Sequence, residues 1–92
     1  MRPHYLVEWY RSAIADEPLD HSVARLIQCA ASMSAAGSPV NLLATLAVPT
    51  DEIVLAVFDS ASELSVVEVC RRAGCPAQRL TAAVGARFWP SA

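Results

Sequence analysis

Apolar residues recur along this chain at two spacings, and the changes between them divide it into six elements. Positions that alternate between apolar and polar predict strands, and a continuous apolar run predicts a central strand. Apolar residues three and four positions apart predict two helices. The four strands are predicted over residues 4–10, 40–48, 53–58 and 80–88, with a loop over 11–18.

Both predicted helices carry start and stop signals. The first begins at Asp20, a good N-cap residue, and stops at Gly37. The second begins with a capping box of Ser60 and Glu63 and stops at Gly74. The buried faces are predicted to carry Val23, Leu26, Ile27, Ala30 and Met33 in the first helix and Val66, Val67, Cys70 and Ala73 in the second, with Glu68 and Arg72 forming an exposed i,i+4 pair.

The order of the elements is β-α-β-β-α-β, which is the ferredoxin-like α+β arrangement. It predicts one domain over residues 1–92, with a four-stranded antiparallel sheet and both helices on one face. Right-handed crossovers give the sheet order 4-1-3-2, counting strands from the N-terminus. The second and third strands are predicted to form a hairpin.

The sheet face opposite the helices is predicted to be apolar. If Tyr5, Val7 and Trp9 face the helices, the alternate residues of the first strand lie on the open face. If the strand is turned over, Tyr5, Val7 and Trp9 lie there instead, and the open face is no more polar. The apolar area of such a face is larger than a soluble monomer usually exposes. We therefore expect a homodimer or a higher homo-oligomer, as in dimeric α/β barrels. With the first choice, the open face is expected to carry His4, Leu6, Glu8, Tyr10, Asn41, Leu43, Thr45, Val54, Ala56 and Phe58.

Composition excludes several classes of protein and of partner. Hydrophobic residues make up 54% of the chain and charged residues 17%, which excludes intrinsic disorder. The net charge of −2 lacks the excess of basic residues that nucleic-acid binding usually needs, so we expect no nucleic-acid partner. No apolar run reaches the roughly 18 residues of a membrane span, and no export signal follows Met1, so we expect a cytoplasmic protein without a membrane partner. Cys29 and Cys70 are expected to be buried thiols and Cys75 to be exposed.

Four segments carry a family resemblance: YLVE at 5–8, GSPV at 37–40, VFDSAS at 57–62 and RRAGCP at 71–76. Through them the chain resembles a family of small, mostly uncharacterised bacterial proteins of ferredoxin-like fold that includes an actinobacterial nickel-binding protein. The resemblance implies this fold and raises metal binding as a function. The chain departs from the family at Leu42, Thr45 and Ala56, where an aromatic ring and a thiol are missing. Nickel prefers imidazole, thiolate and carboxylate ligands, so these departures weaken the transfer of nickel binding.

Glu8 is the charged residue that the strand pattern does not explain. A carboxylate within an apolar strand needs a ligand, solvent or an ion-pair partner, and Arg87 of the last strand is one candidate partner. We select Glu8, Thr45, Phe58 and Arg87 as candidate ligand-binding residues. The only histidines, His4 and His21, are the candidate metal ligands, with surface histidines as the alternative interpretation.

The sequence favours a non-enzymatic homodimeric binding protein for a metal ion or a small ligand. The alternative is a cofactorless enzyme of the dimeric α/β-barrel kind, similar to a small monooxygenase or isomerase, in which Glu8 and a histidine act as acid–base groups. Only fold analogy supports that alternative. The three glycines build neither a phosphate-binding loop nor a dinucleotide fingerprint, so the sequence identifies neither a cofactor nor a catalytic residue.

Overall fold

The computed structural model describes residues 3–10 and 19–83 of the chain. The first two strands have the predicted bounds, while the predicted loop at 11–18 and the last part of the predicted fourth strand lie outside the described residues. Neither described helix is long and apolar enough to cross a membrane. The elements are β1 (His4–Tyr10), α1 (Leu19–Ala35), β2 (Val40–Val48), a short 3-10 helix (Pro49–Asp51), β3 (Ile53–Ser60), α2 (Glu63–Arg72) and β4 (Arg79–Ala83).

The four strands form one antiparallel sheet in the order β2-β3-β1-β4. This is the predicted order read from the other edge, so the ferredoxin-like α+β fold is confirmed. The β2–β3 hairpin is closed by the 3-10 helix and by Glu52, whose φ of 53° is left-handed. One core cluster contains buried residues from both helices and from the strands, so both helices cover the same face of the sheet.

Tyr5, Val7 and Trp9 of β1 face the helices and are at most 8% exposed. The register pairs Tyr5 with Phe58 and Val7 with Ala56, and directly paired residues of antiparallel strands share a face. Ala56 and Phe58 are therefore buried under the helices, both 0% exposed. The prediction that Val54, Ala56 and Phe58 lie on the open face is wrong. The alternation of β3 shows which residues share a face, but only the pairing register shows which of the two faces the helices cover.

A β-bulge in β2 reverses the predicted alternation of that strand. Leu42 pairs with Phe58 but Ala44 pairs with the next residue, Val57, so Leu43 is the extra residue. Residues beyond the bulge change faces, and the prediction of a single apolar side for β2 fails there. Thr45, expected on the open face, instead pairs with a residue of the helix-covered face.

Helix α1 begins one residue earlier than predicted. Asp20 lies inside its first turn, where a carboxylate interacts favourably with the helix N-terminus. Leu26, Ala30 and Met33 are buried as predicted. Ile27 is 53% exposed, contrary to prediction, because it lies on the flank of α1 above the edge strand β2.

Helix α2 is capped by Ser62 and not by Ser60. The Ser62 hydroxyl accepts a hydrogen bond from the Ser65 amide at 3.2 Å. Ser60 ends β3. Its hydroxyl donates to the Pro39 carbonyl and accepts from the Ser62 amide, so its partners lie before the first turn of the helix. The buried face carries Val66, Val69, Cys70 and Ala73, and the predicted Val67 is 41% exposed.

Both helices end in a glycine with left-handed backbone, at φ 99° for Gly37 and 81° for Gly74. After α2, the Cys75 amide donates to the Cys70 carbonyl at 3.0 Å, which is the closing bond of a Schellman motif. This turn folds Cys75 into the core, where it is 2% exposed, so the prediction of an exposed thiol is wrong. The Trp9 indole donates to the Cys75 carbonyl at 2.8 Å and fixes the turn to the sheet.

Candidate functional site

The candidate site is the sheet face that the helices leave open. Cross-strand pairing places Leu6 beside Val57 and Leu46 beside Leu55 on this face. Leu6, Leu55 and Val57 are half-buried, while Leu46 is 59% exposed. The apolar residues of this open face are Leu6, Tyr10, Ala44, Leu46, Val48, Ile53, Leu55 and Val57.

A charged pair lies on the β1 and β4 side of the open face. The register places Glu8 between Leu55 and Arg79, and Glu8 Oε2 is 3.3 Å from Arg79 Nε. The Glu8 side chain is 20% exposed and that of Arg79 is 67% exposed, so water still screens the pair in a single chain. The partner predicted from the sequence, Arg87, lies outside the described residues.

Gln78 sets the position of Arg79 opposite Glu8. The Gln78 amide donates to the Glu8 carbonyl at 3.2 Å, and the Gln78 side-chain oxygen accepts from the Tyr10 amide. These two bonds align the start of β4 with the end of β1. Arg79 is not identifiable from the sequence, because the alternation that predicts the fourth strand begins at Leu80.

One end of the open face is polar. The Asn41 side-chain amide donates to Asp59 Oδ1 at 3.0 Å across β2 and β3. His4 pairs with Asp59 in the register, so its imidazole belongs to the same row. Amide, carboxylate and imidazole therefore border the apolar surface on one side.

Two of the candidate ligand residues lie on the other side of the sheet from Glu8. Phe58 is a core residue, 0% exposed, and Thr45 is an exposed residue of the edge strand. Thr45 lines a groove of about 210 Å³ between α1 and β2, which is below the roughly 300–1,000 Å³ of small-molecule pockets. A single ligand is thus unable to contact Glu8 and Phe58 together. The groove is lined by Val23, Ile27, Leu42, Leu43, Ala44 and Thr45.

The described residues do not assemble a set of metal ligands. His4 lies on the sheet and His21 is exposed on α1. Within residues 3–10 and 19–83, no three His, Cys, Asp or Glu residues come close enough to hold an ion. Burial, together with the neighbouring Cys75, raises the pKa of the Cys70 thiol to about 12, so Cys70 stays protonated near neutral pH.

Comparison of the chain with protein-family models, with curated proteins and with solved structures found no match. The resemblance drawn from the four sequence segments therefore stays a prediction.

Proposed function

We propose that this chain is a non-enzymatic homodimeric binding module in which the open faces of two sheets pack together and hold a small ligand beside Glu8 and Arg79. The observation that carries the proposal is an apolar sheet face with one charged pair on it. A face buried within one chain would not carry the charged side chains of Glu8 and Arg79. A face that stays in water would not carry so many apolar side chains.

The size of the open face supports a second copy as its cover. The apolar residues of the open face lie on three strands, β2, β3 and β1. With strands about 4.8 Å apart and about five to seven residues of each strand at about 3.4 Å per residue, the apolar area is roughly 250–350 Å² in projection. Monomers rarely expose contiguous apolar patches above a few hundred Å². Two sheets stacked face to face lie about 10 Å apart, which leaves their side chains in contact.

The charged pair supports a ligand with an apolar body and one polar end. Glu8 supplies acceptor oxygens and Arg79 supplies N–H donors within an apolar surface, which is the usual composition of a small-molecule site. Binding is favoured over the enzymatic alternative because the Glu8 carboxylate is engaged by Arg79. His4 lies four residues along β1, about 13 Å away, and is too distant to share a proton with Glu8.

The first test is the mass of the particle in solution. Wild-type protein at micromolar concentration is expected to sediment with the mass of two or more chains. Leu55→Lys should reduce the mass, because it places an ammonium group in the middle of the seam. The folded chain should tolerate this lysine, since Leu55 pairs with Glu8 in the register and the new ammonium can approach its carboxylate.

Leu64→Lys is the matched control. Leu64 is on α2 and is 78% exposed, so the same substitution adds the same charge away from the sheet. The control should keep the wild-type mass, and thermal melts should show that both variants are folded. A wild-type particle with the mass of one chain, or equal masses for wild type and Leu55→Lys, would refute the proposal.

A further inference from the structure

The edge strand β2 carries no charge along its nine residues. An edge strand presents unpaired backbone N–H and C=O groups, and natural proteins usually protect it with lysines, prolines or short length. The opposite edge, β4, has five described residues and begins with Arg79. Of the two edges in the described part of the chain, β2 is the one without charge protection.

Exposed apolar side chains concentrate around the same edge. Ile27, Leu43 and Leu46 are three of the six large hydrophobic residues that the described chain exposes. Ile27 and Leu43 line the groove on the helix side, and Leu46 lies on the open face. Both flanks of β2 are thus apolar.

We propose that β2 pairs antiparallel with β2 of a second copy, about a two-fold axis at Leu46. The regular segment 44–48 follows the bulge and reads Ala-Thr-Leu-Ala-Val. Two-fold pairing requires a self-complementary surface. About Leu46 it places Ala44 against Val48, Thr45 against Ala47 and Leu46 against its own copy. Alanine meets a β-branched residue in the first two pairs, two leucines meet in the third, and no charges meet.

The bulge explains why the pairing stops at residue 44. At Leu43 the strand bends and its hydrogen-bonding groups lose their regular spacing. The five residues after it keep a regular edge. The pairing joins two sheets into one of eight strands and brings the two Leu46 side chains together on the open side.

This interface is independent of face-to-face packing, because it uses the edge of the sheet. If both interfaces form, four chains assemble. Thr45 and Ala47 lie on the helix side of β2, where they pair with Ala56 and Val54. In a face-to-face dimer these two residues are on the outer sides of the particle and do not meet their counterparts.

Cysteine cross-linking tests the register. Thr45→Cys and Ala47→Cys proteins, each in a Cys29→Ala background, are mixed and treated with oxidised glutathione, which is reduced to two thiols as one protein disulfide forms. The mixed disulfide between the two variants should dominate, because directly opposite residues have Cβ atoms about 4.5–5.5 Å apart. Each variant alone should cross-link several-fold less, since positions 45 and 45 are diagonal neighbours about 7–8 Å apart.

Leu64→Cys in the same background is the control for random collision. If the mixed disulfide forms no more readily than the Leu64→Cys homodimer, the edge pairing is refuted. The double substitution Thr45→Lys with Ala47→Lys gives a second measurement. It should raise the dissociation constant of the edge dimer at least tenfold by sedimentation equilibrium, and Leu64→Lys should leave it unchanged.

The two interfaces can fail separately. If Leu55→Lys alone yields single chains and the double lysine variant matches wild type, the edge pairing is wrong and the face-to-face proposal stands. If the double lysine variant alone yields single chains, the open-face proposal fails and the edge pairing stands.

Discussion

Among single residues, Glu68 on α2 is a carboxylate held by two arginines. Its Oε2 lies 2.6 Å from an Arg71 nitrogen and 2.7 Å from Arg72 Nε. The sequence predicted the pair with Arg72, and the structure adds Arg71. These hydrogen bonds lower the pKa of Glu68 from 4.5 to about 2.

This pKa predicts an acid-dependent contribution to stability. Because the folded-state pKa is lowered, the contribution is present above about pH 4.5 and is lost as the pH falls toward about 2. Glu68→Gln should therefore show a smaller drop in melting temperature between pH 7 and pH 3 than wild type. Added salt should reduce the difference, since the Glu68 side chain is 30% exposed.

Glu63→Gln is the control, because Glu63 is an exposed carboxylate of the same helix. It should keep more of the wild-type drop on acidification than Glu68→Gln does. Equal acid sensitivity of Glu68→Gln and wild type would contradict the role given to the two arginines.

At the scale of elements, the two helix ends are built alike. In each, the residue after the glycine donates to a carbonyl five residues earlier, from Ser38 to Met33 at 2.9 Å and from Cys75 to Cys70 at 3.0 Å. Each glycine has φ in the left-handed region. The turn after α1 leads into β2, and the turn after α2 places Cys75 under Trp9.

Gly37→Ala isolates the backbone cost of this turn. A Cβ at Gly37 meets no atom within 4 Å, so no clash contributes. The left-handed conformation alone should lower the free energy of unfolding by about 1–2 kcal/mol. Chemical denaturation should give this value, and Gly37→Asn should lose less because asparagine tolerates the conformation better. Equal stability of wild type and Gly37→Ala would show that the turn relaxes.

At the scale of the whole molecule, assembly should change the energy of the Glu8–Arg79 pair. In a single chain, the exposed guanidinium should limit the coupling energy to about 0–1 kcal/mol. In the proposed seam the pair loses water, and coupling of about 1.5 kcal/mol or more is expected. A double-mutant cycle of Glu8→Gln and Arg79→Gln, measured by urea unfolding above and below the dissociation concentration, checks this difference.

Val48→Lys provides the reference for that cycle, because it adds a charge to the open face two strands away from Glu8 and should keep two open faces apart at both concentrations. In the background of this variant, the Glu8–Arg79 coupling energy should stay at about 0–1 kcal/mol both above and below the dissociation concentration. The same coupling above and below the dissociation concentration in wild type would place the pair outside the seam.

The candidate site could be predicted from the sequence only in part. Glu8 is visible because a charge within an apolar alternating strand breaks the local pattern. Arg79 is not visible, because its partner is set by a strand pairing between distant parts of the chain. Phe58 was assigned to the wrong face for a related reason, since an apolar run in β3 looks the same with either parity.

Local sequence pattern is sufficient to predict the strands over their described residues, both helices, their glycine stops and the order of the sheet. Periodicity and turn residues act over a few neighbouring positions, and the handedness of the crossovers restricts how such elements connect. The face that each strand buries, the bulge in β2 and the approach of Arg79 to Glu8 follow only from the tertiary structure. The physical reason is that these features depend on register, and one residue of slip exchanges the two faces of a strand without altering its local pattern.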